Sequence, residues 1–348
     1  MEEDKKGTLE ERMLFYRGRN EQNIPRNSYV LCMLDGRTFS SLIKNRYKKP
    51  FDDNFINLMN DTAAFVCSQV QGAKFAYVQS DEISIFMSDA DSEESTLFYD
   101  GRLVKLLSVI PGLATSYFNR HVFDDKLAIE NLSVSDIRQI ISQEPLYQFD
   151  GKVWSVPTLN DVFAWFHFRQ IDCIRNSKNQ SAQAYISHND LKKKHTDEQI
   201  AMLKERHGID WHTNFDDGKK YGRFIYKEVE HHTREFKGEV IPYDRSVWKP
   251  HYGKDLTIAE NREWFWKTLI EPCGFPEKDV RSEIDNMISN AKKSVDKAGE
   301  ILDVVTVQSE EMKKELNIAQ RTWMSGLKSN IERVSRDFNL WKPKENDE

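Results

Sequence analysis

The order of strand-like and helix-like segments in the N-terminal half limits the possible fold more than any other feature of this chain. Short apolar runs rich in β-branched and aromatic residues predict four strands, at 28–34, 73–79, 83–88 and 148–156. Apolar residues at helical spacing predict helices between them, at 53–71 and 97–118. The resulting β-α-β-β-α-β order is typical of a ferredoxin-like α/β (α+β) core, in which the strands lie in the order 4-1-3-2.

Acidic residues occur at two strand ends that this topology makes neighbours. Asp35-Gly36 follows the first strand, and Ser80-Asp81-Glu82 joins the second strand to the third. Because the first strand pairs with the third, we expect Asp35 and Asp81 at one edge of the sheet, with the Gly36 carbonyl beside them. Oxygen ligands of this kind bind Mg²⁺, and two ions about 3.5–4 Å apart support phosphoryl or nucleotidyl transfer. The alternative is two unrelated acidic turns.

Two groups of polar residues are placed to hold the phosphates of such a substrate. The loop after the first strand carries four cations, Lys44, Arg46, Lys48 and Lys49. The predicted helix that begins near residue 97 carries three polar residues on one face, Arg102, Lys105 and Ser108. A solvated helix surface explains that face equally well.

The segment 158–176 predicts another helix, whose apolar side carries Trp165, Phe166 and Phe168. Its other side is a polar stripe of Arg169, Gln170, Asp172, Arg175, Asn176 and Ser177. One interpretation is a local ion pair between Asp172 and Arg175. The functional interpretation is that the stripe contacts an RNA backbone.

From about residue 257 the chain changes in character. No proline occurs between Pro276 and Pro343, and apolar residues recur at heptad spacing from Ile284 to Trp323. This pattern predicts long helices packed as a hairpin or coiled coil. We therefore predict a ferredoxin-like catalytic domain at 1–160, a helical region with the RNA-contact stripe at 161–253 and a helical extension at 254–348.

Composition excludes several classes of protein. The chain has 348 residues with 20 Phe, 8 Trp and 12 Tyr, which is too aromatic for a disordered protein. Its formal net charge is −6, so a nucleic acid would have to bind a local basic patch. There is no secretory or transit signal, and no apolar run reaches the roughly 18 residues of a membrane span. We therefore predict a cytoplasmic protein with no membrane partner. The motifs GxxxxGK[ST], GxGxxG and HExxH are absent.

Six stretches, taken together, resemble the tRNA-histidine guanylyltransferase family and its guanylyltransferase-like relatives, the 3′–5′ polymerases. They are YVLCMLDGRTF (29–39), KKPFDD (48–53), FAYVQSDEISIF (75–86), GRLVKLLS (101–108), FDGKVWSVPT (149–158) and FRQIDCIRNSKNQSAQAYISHNDL (168–191). The resemblance covers roughly residues 8–250. It implies a polymerase-palm core that binds two Mg²⁺ ions through the catalytic residues Asp35 and Asp81 and the Gly36 carbonyl.

The same resemblance implies a site for ATP and GTP or another nucleoside triphosphate. Its nucleotide-binding residues are Asp35, Gly36, Arg37, Thr38, Phe39, Ser40, Lys49, Ser80, Asp81, Arg102, Lys105 and Ser108. The RNA-binding residues are expected to be Arg169, Gln170, Arg175, Asn176 and Ser177. Because relatives form tetramers, we expect a homo-oligomer, either a dimer or a tetramer.

The implied reaction adds nucleotides to the 5′ end of a tRNA. ATP or GTP first activates the 5′-monophosphate, and the 3′-hydroxyl of the incoming nucleoside triphosphate then attacks it. The histidine-type enzymes carry His-Ile-Asn-Asn-Leu-Tyr-Asn-Thr where this chain reads IRNSKNQS (174–181). That difference is similar to the guanylyltransferase-like branch and favours template-dependent repair of truncated 5′ ends. Ser40, Phe51 and Lys152 also stand where His, Asn and Arg are common in the family.

Three other functions stay open at this point. The first is the addition of G to tRNA-His. The second is a binding module that holds RNA or nucleotide without turnover, while the C-terminal extension recruits a partner. The third is cyclase or oligonucleotide synthase chemistry on a similar sheet. The intact pair Asp35 and Asp81 favours an enzyme over a binding module, and the resemblance at 149–158 and 169–177 favours an RNA substrate.

Overall fold

The computed structural model of the chain describes residues 8–19, 21–124, 133–143, 145–236 and 239–275. The strands in these residues are β1 (Tyr29–Arg37), β2 (Ala73–Gln79), β3 (Glu82–Ser88), β4 (Gln148–Val156), β5 (Arg223–Phe236) and β6 (Glu239–Tyr252). The α-helices are α1 (Leu9–Gly18), α2 (Phe39–Arg46), α3 (Asp53–Gln69), α4 (Leu103–His121), α5 (Val134–Gln143), α6 (Leu159–Gln183), α7 (His188–Leu191), α8 (Thr196–His207), α9 (Trp211–Asn214), α10 (Asp217–Tyr221) and α11 (Ala259–Phe265). Short 3₁₀ and π turns occupy Phe98–Gly101, Trp266–Ile270 and Glu271–Cys273.

One antiparallel sheet in the order β4-β1-β3-β2-β5-β6 organises the described residues. Its first four strands confirm the predicted 4-1-3-2 order of a ferredoxin-like core. Strand β1 lies between β3 and β4, and Asp35 is in register with Glu82 on one side and Asp150 on the other. The sheet therefore brings three acidic residues to one place.

Helices cover both faces of the sheet, which explains why β1 is apolar from Tyr29 to Leu34. Val30, Cys32 and Leu34 pack in the core formed with α3 and α4, whereas Tyr29 and Leu31 pack in the core formed with α6 and α11. A strand buried on both faces has no polar alternation, as the run SYVLCML indicates.

Two predicted boundaries near the candidate site are wrong. Strand β1 continues to Arg37, so Asp35-Gly36 belongs to the strand and not to a turn after it. The helix predicted from residue 97 begins only at Leu103, because Tyr99 and Asp100 adopt left-handed backbone conformations that interrupt it. Arg102 is therefore the residue before the helix and is not on its face.

The region predicted as helical, 161–253, contains helices as far as Tyr221 and then a long antiparallel hairpin. Strands β5 and β6 are in register from Arg223 with Tyr252 to Phe236 with Glu239. Only Arg223, Phe224 and Ile225 of β5 also pair with β2, so the rest of the hairpin extends past the sheet. Most residues of the hairpin are polar and exposed, so it lacks the buried apolar runs from which the other strands were predicted.

The remaining features concern the two ends of the chain, the domain boundaries and membrane spans. Thr8 caps helix α1 through reciprocal hydrogen bonds with Glu11. The predicted heptad helices between Ile284 and Trp323 lie outside the described residues. The three domain boundaries stay predictions. No α-helix of at least 18 residues in the described part of the chain is apolar enough to cross a membrane.

Candidate active site

The backbone brings the end of β1 against the turn between β2 and β3. The N–H group of Gly36 donates a hydrogen bond to the carbonyl oxygen of Asp81, at 3.1 Å. Asp35 lies opposite Glu82, the first residue of β3. The structure therefore places Asp35, Gly36 and Asp81 together, although they are far apart in the sequence.

Strained backbone and close packing hold these two segments. Thr38 has a φ of 63° and Ser80 has a φ of 46°, which is the left-handed region that non-glycine residues seldom adopt. A Cβ atom on Gly36 would lie 2.6 Å from the ring of Phe39, so only glycine fits there. Phe39 itself is fully buried against Phe118. Its predicted part in nucleotide binding is therefore limited to its backbone.

The surroundings of the carboxyl groups at this edge disfavour their charged form. Burial raises the pKa of Asp35, and the nearby Asp150 raises it further. Burial likewise raises the pKa of Asp81, and the negative charges of Asp35 and Glu82 raise it further. Crowded carboxylates with raised pKa values are stabilised when a cation neutralises them.

The donor set fits a hard divalent cation. Asp35 and Asp81 supply carboxylate oxygens and Gly36 can supply a carbonyl oxygen, which are the ligand types that Mg²⁺ prefers. Among the described residues, no cluster of three or more His, Cys, Asp and Glu side chains is arranged to hold a metal ion. A two-carboxylate set is still sufficient in principle, because Mg²⁺ commonly completes its shell with water and substrate phosphates.

The raised pKa values lead to a prediction about stability without metal. We expect Asp81→Asn to raise the unfolding temperature at pH 7 in EDTA, because the neutral amide removes repulsion from Asp35 and Glu82. A carboxyl whose pKa is raised by folding costs stability above that pKa, and the cost disappears as the pH falls below the unfolded value of about 3.9. The gain should therefore shrink between pH 7 and pH 4 in thermal melts. A variant less stable than wild type at pH 7 would contradict this electrostatic account.

A pocket opens beside Asp81, between the loop after α2 and helix α6. Its volume is about 320 Å³. It is lined by Ser40, Ile43, Lys44, Tyr47, Lys48, Lys49, Pro50, Phe51, Asp52, Phe55, Ile56, Gln79, Ser80, Asp81, Cys173, Asn176, Ser177, Gln180, Gln183, Lys219 and Arg223. Of the predicted nucleotide-binding residues, Ser40, Lys49, Ser80 and Asp81 share this pocket.

The other predicted phosphate contacts do not line this pocket. Arg102 is the residue before α4, and its backbone forms a bridge with Asn23. Lys105 lies with its ammonium group 5.8 Å from the ring centre of Tyr99, and Ser108 donates to the carbonyl of Val104. The expected phosphate site is therefore divided into a part in the pocket and a part at the start of α4.

The residues of the polar stripe on α6 also differ in their exposure. Gln170 is fully buried and donates to the carbonyls of Tyr221 and Lys254, and Ser177 is buried and accepts from Trp211. Both side chains are therefore almost fully buried and bonded within the protein, although Ser177 also lines the pocket. Arg175 and Asn176 are exposed, and Arg175 makes the predicted ion pair with Asp172, at 2.7 Å.

Arg169 has a role that the sequence did not indicate. Its guanidinium group donates to both carboxylate oxygens of Glu82, with Nε 2.7 Å from Oε1, and also contacts Asp172. The side chains of Arg169 and Glu82 are only 13% and 9% exposed. Because Glu82 directly follows Asp81, this ion pair fixes the acidic turn to helix α6. The sequence offers one signal for this ion pair, the opposite charges of Arg169 and Glu82. Because the two residues lie 87 positions apart, that signal does not identify the pair.

Comparison with known proteins finds similarity to tRNA(His) guanylyltransferases. The family model of Thg1, tRNAHis guanylyltransferase, matches residues 11–157. The chain is 26% identical over 235 residues to an uncharacterized protein of Acanthamoeba polyphaga mimivirus, covering 63% of this chain and 77% of that protein. It is 31% identical over 151 residues to tRNA(His) guanylyltransferase of Schizosaccharomyces pombe and 29% identical over 163 residues to that of Neurospora crassa, covering 43% and 46% of this chain. These matches span about half the length of the two fungal proteins, 51% and 50%.

Solved structures agree with the sequence matches. A bacterial tRNA(His) guanylyltransferase (Thg1)-like protein in complex with ATP aligns with a TM-score of 0.60 and 25% identity, covering 75% of this chain and 99% of that chain. Its relative in complex with GTP shares the fold, with a TM-score of 0.56, 24% identity, and coverage of 78% of this chain and all of that chain. Residues 11–157 of this chain therefore match the Thg1 family, and the shared fold agrees with that match.

Proposed function

We propose that this protein is a nucleotidyltransferase that adds nucleotides in the 3′–5′ direction to the 5′ end of tRNA, and that it repairs truncated ends by copying the opposite strand. One observation carries the proposal. Asp35 and Asp81, with raised pKa values, lie together at a strained strand edge beside a pocket that is rich in lysine. The match of residues 11–157 to the Thg1 family model and the ATP and GTP complexes of the similar structures support nucleoside triphosphates as substrates.

The residues of the site have separate tasks in this proposal. Asp35, Asp81 and the Gly36 carbonyl would hold Mg²⁺, which when bound supplies Lewis-acid stabilisation of phosphoryl charge. Arg169 holds Glu82 and thereby orients the turn that carries Asp81. The lysines of the pocket attract phosphate, and Arg175 and Asn176 offer exposed polar contacts for an RNA backbone.

The reaction proceeds in two transfers at one site. The 5′-monophosphate of the RNA first attacks the α-phosphate of ATP or GTP, which activates the 5′ end and releases pyrophosphate. The 3′-hydroxyl of the next nucleoside triphosphate then attacks the RNA 5′-phosphate, loses its proton and releases AMP or GMP. The site's contribution is mainly positioning and charge stabilisation, because phosphoryl transfer needs little covalent help from the protein. We also propose that the protein forms a dimer or a tetramer and that it is cytoplasmic.

A second candidate is the addition of G to tRNA-His, which the fungal relatives' names favour. The sequence IRNSKNQS at 174–181 departs from the histidine-type motif and favours repair instead. The two activities differ in whether the opposite base selects the nucleotide.

An extension assay separates these functions. A tRNA that lacks its 5′-terminal nucleotide, labelled at the 5′-phosphate, is incubated with Mg²⁺, ATP and each nucleoside triphosphate. We expect the nucleotide complementary to the opposite base to be added, and the preference to change when that base is changed. Addition of G opposite every base would support the tRNA-His activity. Tight RNA binding without any extension would indicate that the protein is a binding module and not an enzyme.

A further inference from the structure

Phe168 on helix α6 is an aromatic residue that the fold leaves open to water. The sequence places it with Trp165 and Phe166 on the apolar side of the helix, and Phe166 is fully buried there. Phe168, by contrast, is 54% exposed, and Ile171, three residues further along α6, is 49% exposed. Neighbouring apolar side chains that form one exposed patch indicate a surface that binds a ligand or a partner.

Two tryptophans support the ring of Phe168 from the protein side. The ring centre of Trp165 lies 5.9 Å from that of Phe168 and 4.6 Å from that of Trp154 on strand β4. The indole N–H group of Trp165 donates to Ser84 Oγ at 3.3 Å, which ties this ring to strand β3. Phe168 is therefore the outer member of an aromatic row, formed by Trp154, Trp165 and Phe168, and its ring is packed on one side and open on the other.

Strand register puts the aromatic row on the face of the sheet that also carries the side chain of Asp35. Asp35 lies opposite Asp150 on β4, and Leu31 lies opposite Trp154. Opposed residues of an antiparallel pair share a face, and so do residues two or four apart along one strand. The row therefore begins on the same face as Asp35, four residues along β4 from Asp150, which is about 14 Å.

Arg169 joins the aromatic row to the acidic edge. Its guanidinium carbon lies 5.4 Å from the ring centre of Phe168, which is within cation–π distance. The same guanidinium group binds Glu82, the residue after Asp81. A ligand that stacks on Phe168 therefore lies next to the group that holds the turn carrying Asp81.

An exposed lysine on β4 favours nucleic acid over protein as the occupant of this surface. Lys152 lies two residues from Trp154 on the same face of the strand, and it makes no ion pair with the residues that the structure describes. Burial raises the pKa of Asp35, and the positive charge of Lys152 opposes that rise. Surfaces that bind single-stranded nucleic acid combine aromatic rings with cations, whereas protein interfaces are depleted in lysine.

The aromatic row is distinct from the pocket beside Asp81. Neither its three rings nor Lys152 line that pocket, and the pocket's residues on α6 begin at Cys173. Phe168 lies on the other side of Arg169 along the helix. Along α6, the contact with the acidic edge therefore separates the pocket from the row.

We propose that Phe168, backed by Trp165 and Trp154, is a stacking platform for an unpaired nucleobase of the RNA substrate. Aromatic rings bind bases of any type through stacking, and neighbouring cations attract the sugar-phosphate backbone. The inference rests on the proposed function for the identity of its occupant. An RNA that lacks its 5′-terminal nucleotide has one base on the opposite strand without a partner, and copying requires that base to be held near Asp35.

The test uses the full chain in EDTA, so that no turnover occurs, and a short RNA hairpin that lacks its 5′-terminal nucleotide. The base opposite the missing nucleotide is 2-aminopurine, whose fluorescence is quenched by stacking. We expect wild-type protein to quench it, and Phe168→Ala to remove most of the quenching. Binding should weaken about 5- to 150-fold, which corresponds to about 1–3 kcal/mol for one stacked base. Phe168→Trp keeps a ring and should retain both properties.

A matched variant and a second RNA define the result. Phe236, at the end of β5, is also 54% exposed, and Phe236→Ala should leave the affinity within about twofold, as surface substitutions away from a site do. Restoring the missing nucleotide pairs the base, so the affinity for that RNA should fall less in Phe168→Ala. Unchanged quenching and affinity in Phe168→Ala, equal losses for the two RNAs, or no RNA binding to wild type would each overturn the proposal.

Two other occupants of the aromatic row would give different results. If the row binds the base of a nucleoside triphosphate, Phe168→Ala should weaken binding of ATP or GTP and leave RNA binding unchanged. If it is covered by a second copy of the chain, Phe168→Ala should lower the mass measured by sedimentation and leave the quenching unchanged. Either result would refute the RNA platform. Because these measurements need no turnover, quenching without extension would overturn the proposed function alone, and extension without quenching would overturn the platform alone.

Discussion

Replacing Asp35 with asparagine is expected to reduce nucleotide addition by about a thousandfold or more while the protein stays folded. The change removes one of two carboxylates that would hold Mg²⁺, and loss of several kcal/mol of charge stabilisation corresponds to about three powers of ten in rate. Asp81→Asn should have an effect of the same size. The measurement is single-turnover extension of the labelled tRNA that lacks its 5′ nucleotide.

Two controls define the result. Asp244→Asn changes an exposed acid on β6, far along the hairpin, and should leave the rate within about twofold, because surface charges distant from a site have small effects. Thermal melts of all three variants should show cooperative unfolding. Full activity in both Asp35→Asn and Asp81→Asn would show that the metal site is elsewhere.

Arg169→Met is expected to destabilise the protein by about 3–5 kcal/mol, because it leaves the carboxylate of Glu82 buried and unpaired. The side chain of Glu82 is 9% exposed, and its remaining side-chain contact is a long hydrogen bond from Ser84, at 3.4 Å. Urea unfolding monitored by tryptophan fluorescence measures the change. Nucleotide addition should also fall, since the turn that carries Asp81 loses its anchor on α6.

A double-mutant cycle tests whether the pair itself is responsible. Glu82→Gln removes the stranded charge, so the double variant Arg169→Met with Glu82→Gln should be more stable than Arg169→Met alone. Arg175→Met is the matched arginine control on the same helix, because its side chain is 60% exposed and should cost about 1 kcal/mol or less. Strictly additive effects of Arg169→Met and Glu82→Gln would show that the two residues are not coupled.

Local patterns predicted the palm-like core because its residues obey simple burial rules. Strand β4 spans Gln148–Val156 as predicted, and β2 spans Ala73–Gln79 as predicted. Apolar runs buried on both faces leave a clear signature, and the right order of strands then follows from the β-α-β-β-α-β sequence. The juxtaposition of Asp35 with the turn at Asp81 follows from strand order alone.

What the sequence could not indicate depends on contacts between distant segments. The ion pair of Arg169 with Glu82 joins residues in elements with no fixed spacing, so charge patterns alone cannot find it. The burial of Gln170 is equally hidden, because a polar residue on a helix normally faces water. In the sequence Arg223 is one more cation in a polar segment, whereas the fold buries its guanidinium group against Asn60.

The position of β1 in the middle of the sheet also determines when the site can assemble. Pairing of β1 with β4 joins residues 29–37 to residues 148–156, and Arg169 lies later still on α6. During synthesis from the N-terminus, β1 is therefore an unpaired apolar edge until β4 has left the ribosome, which is an exposed surface for aggregation or chaperone binding. Closing so long a segment is slow compared with the β5–β6 hairpin, whose strands are adjacent in sequence. Asp35 and Asp81 can therefore meet once β3 is made, whereas Asp150 and Arg169 complete the site later.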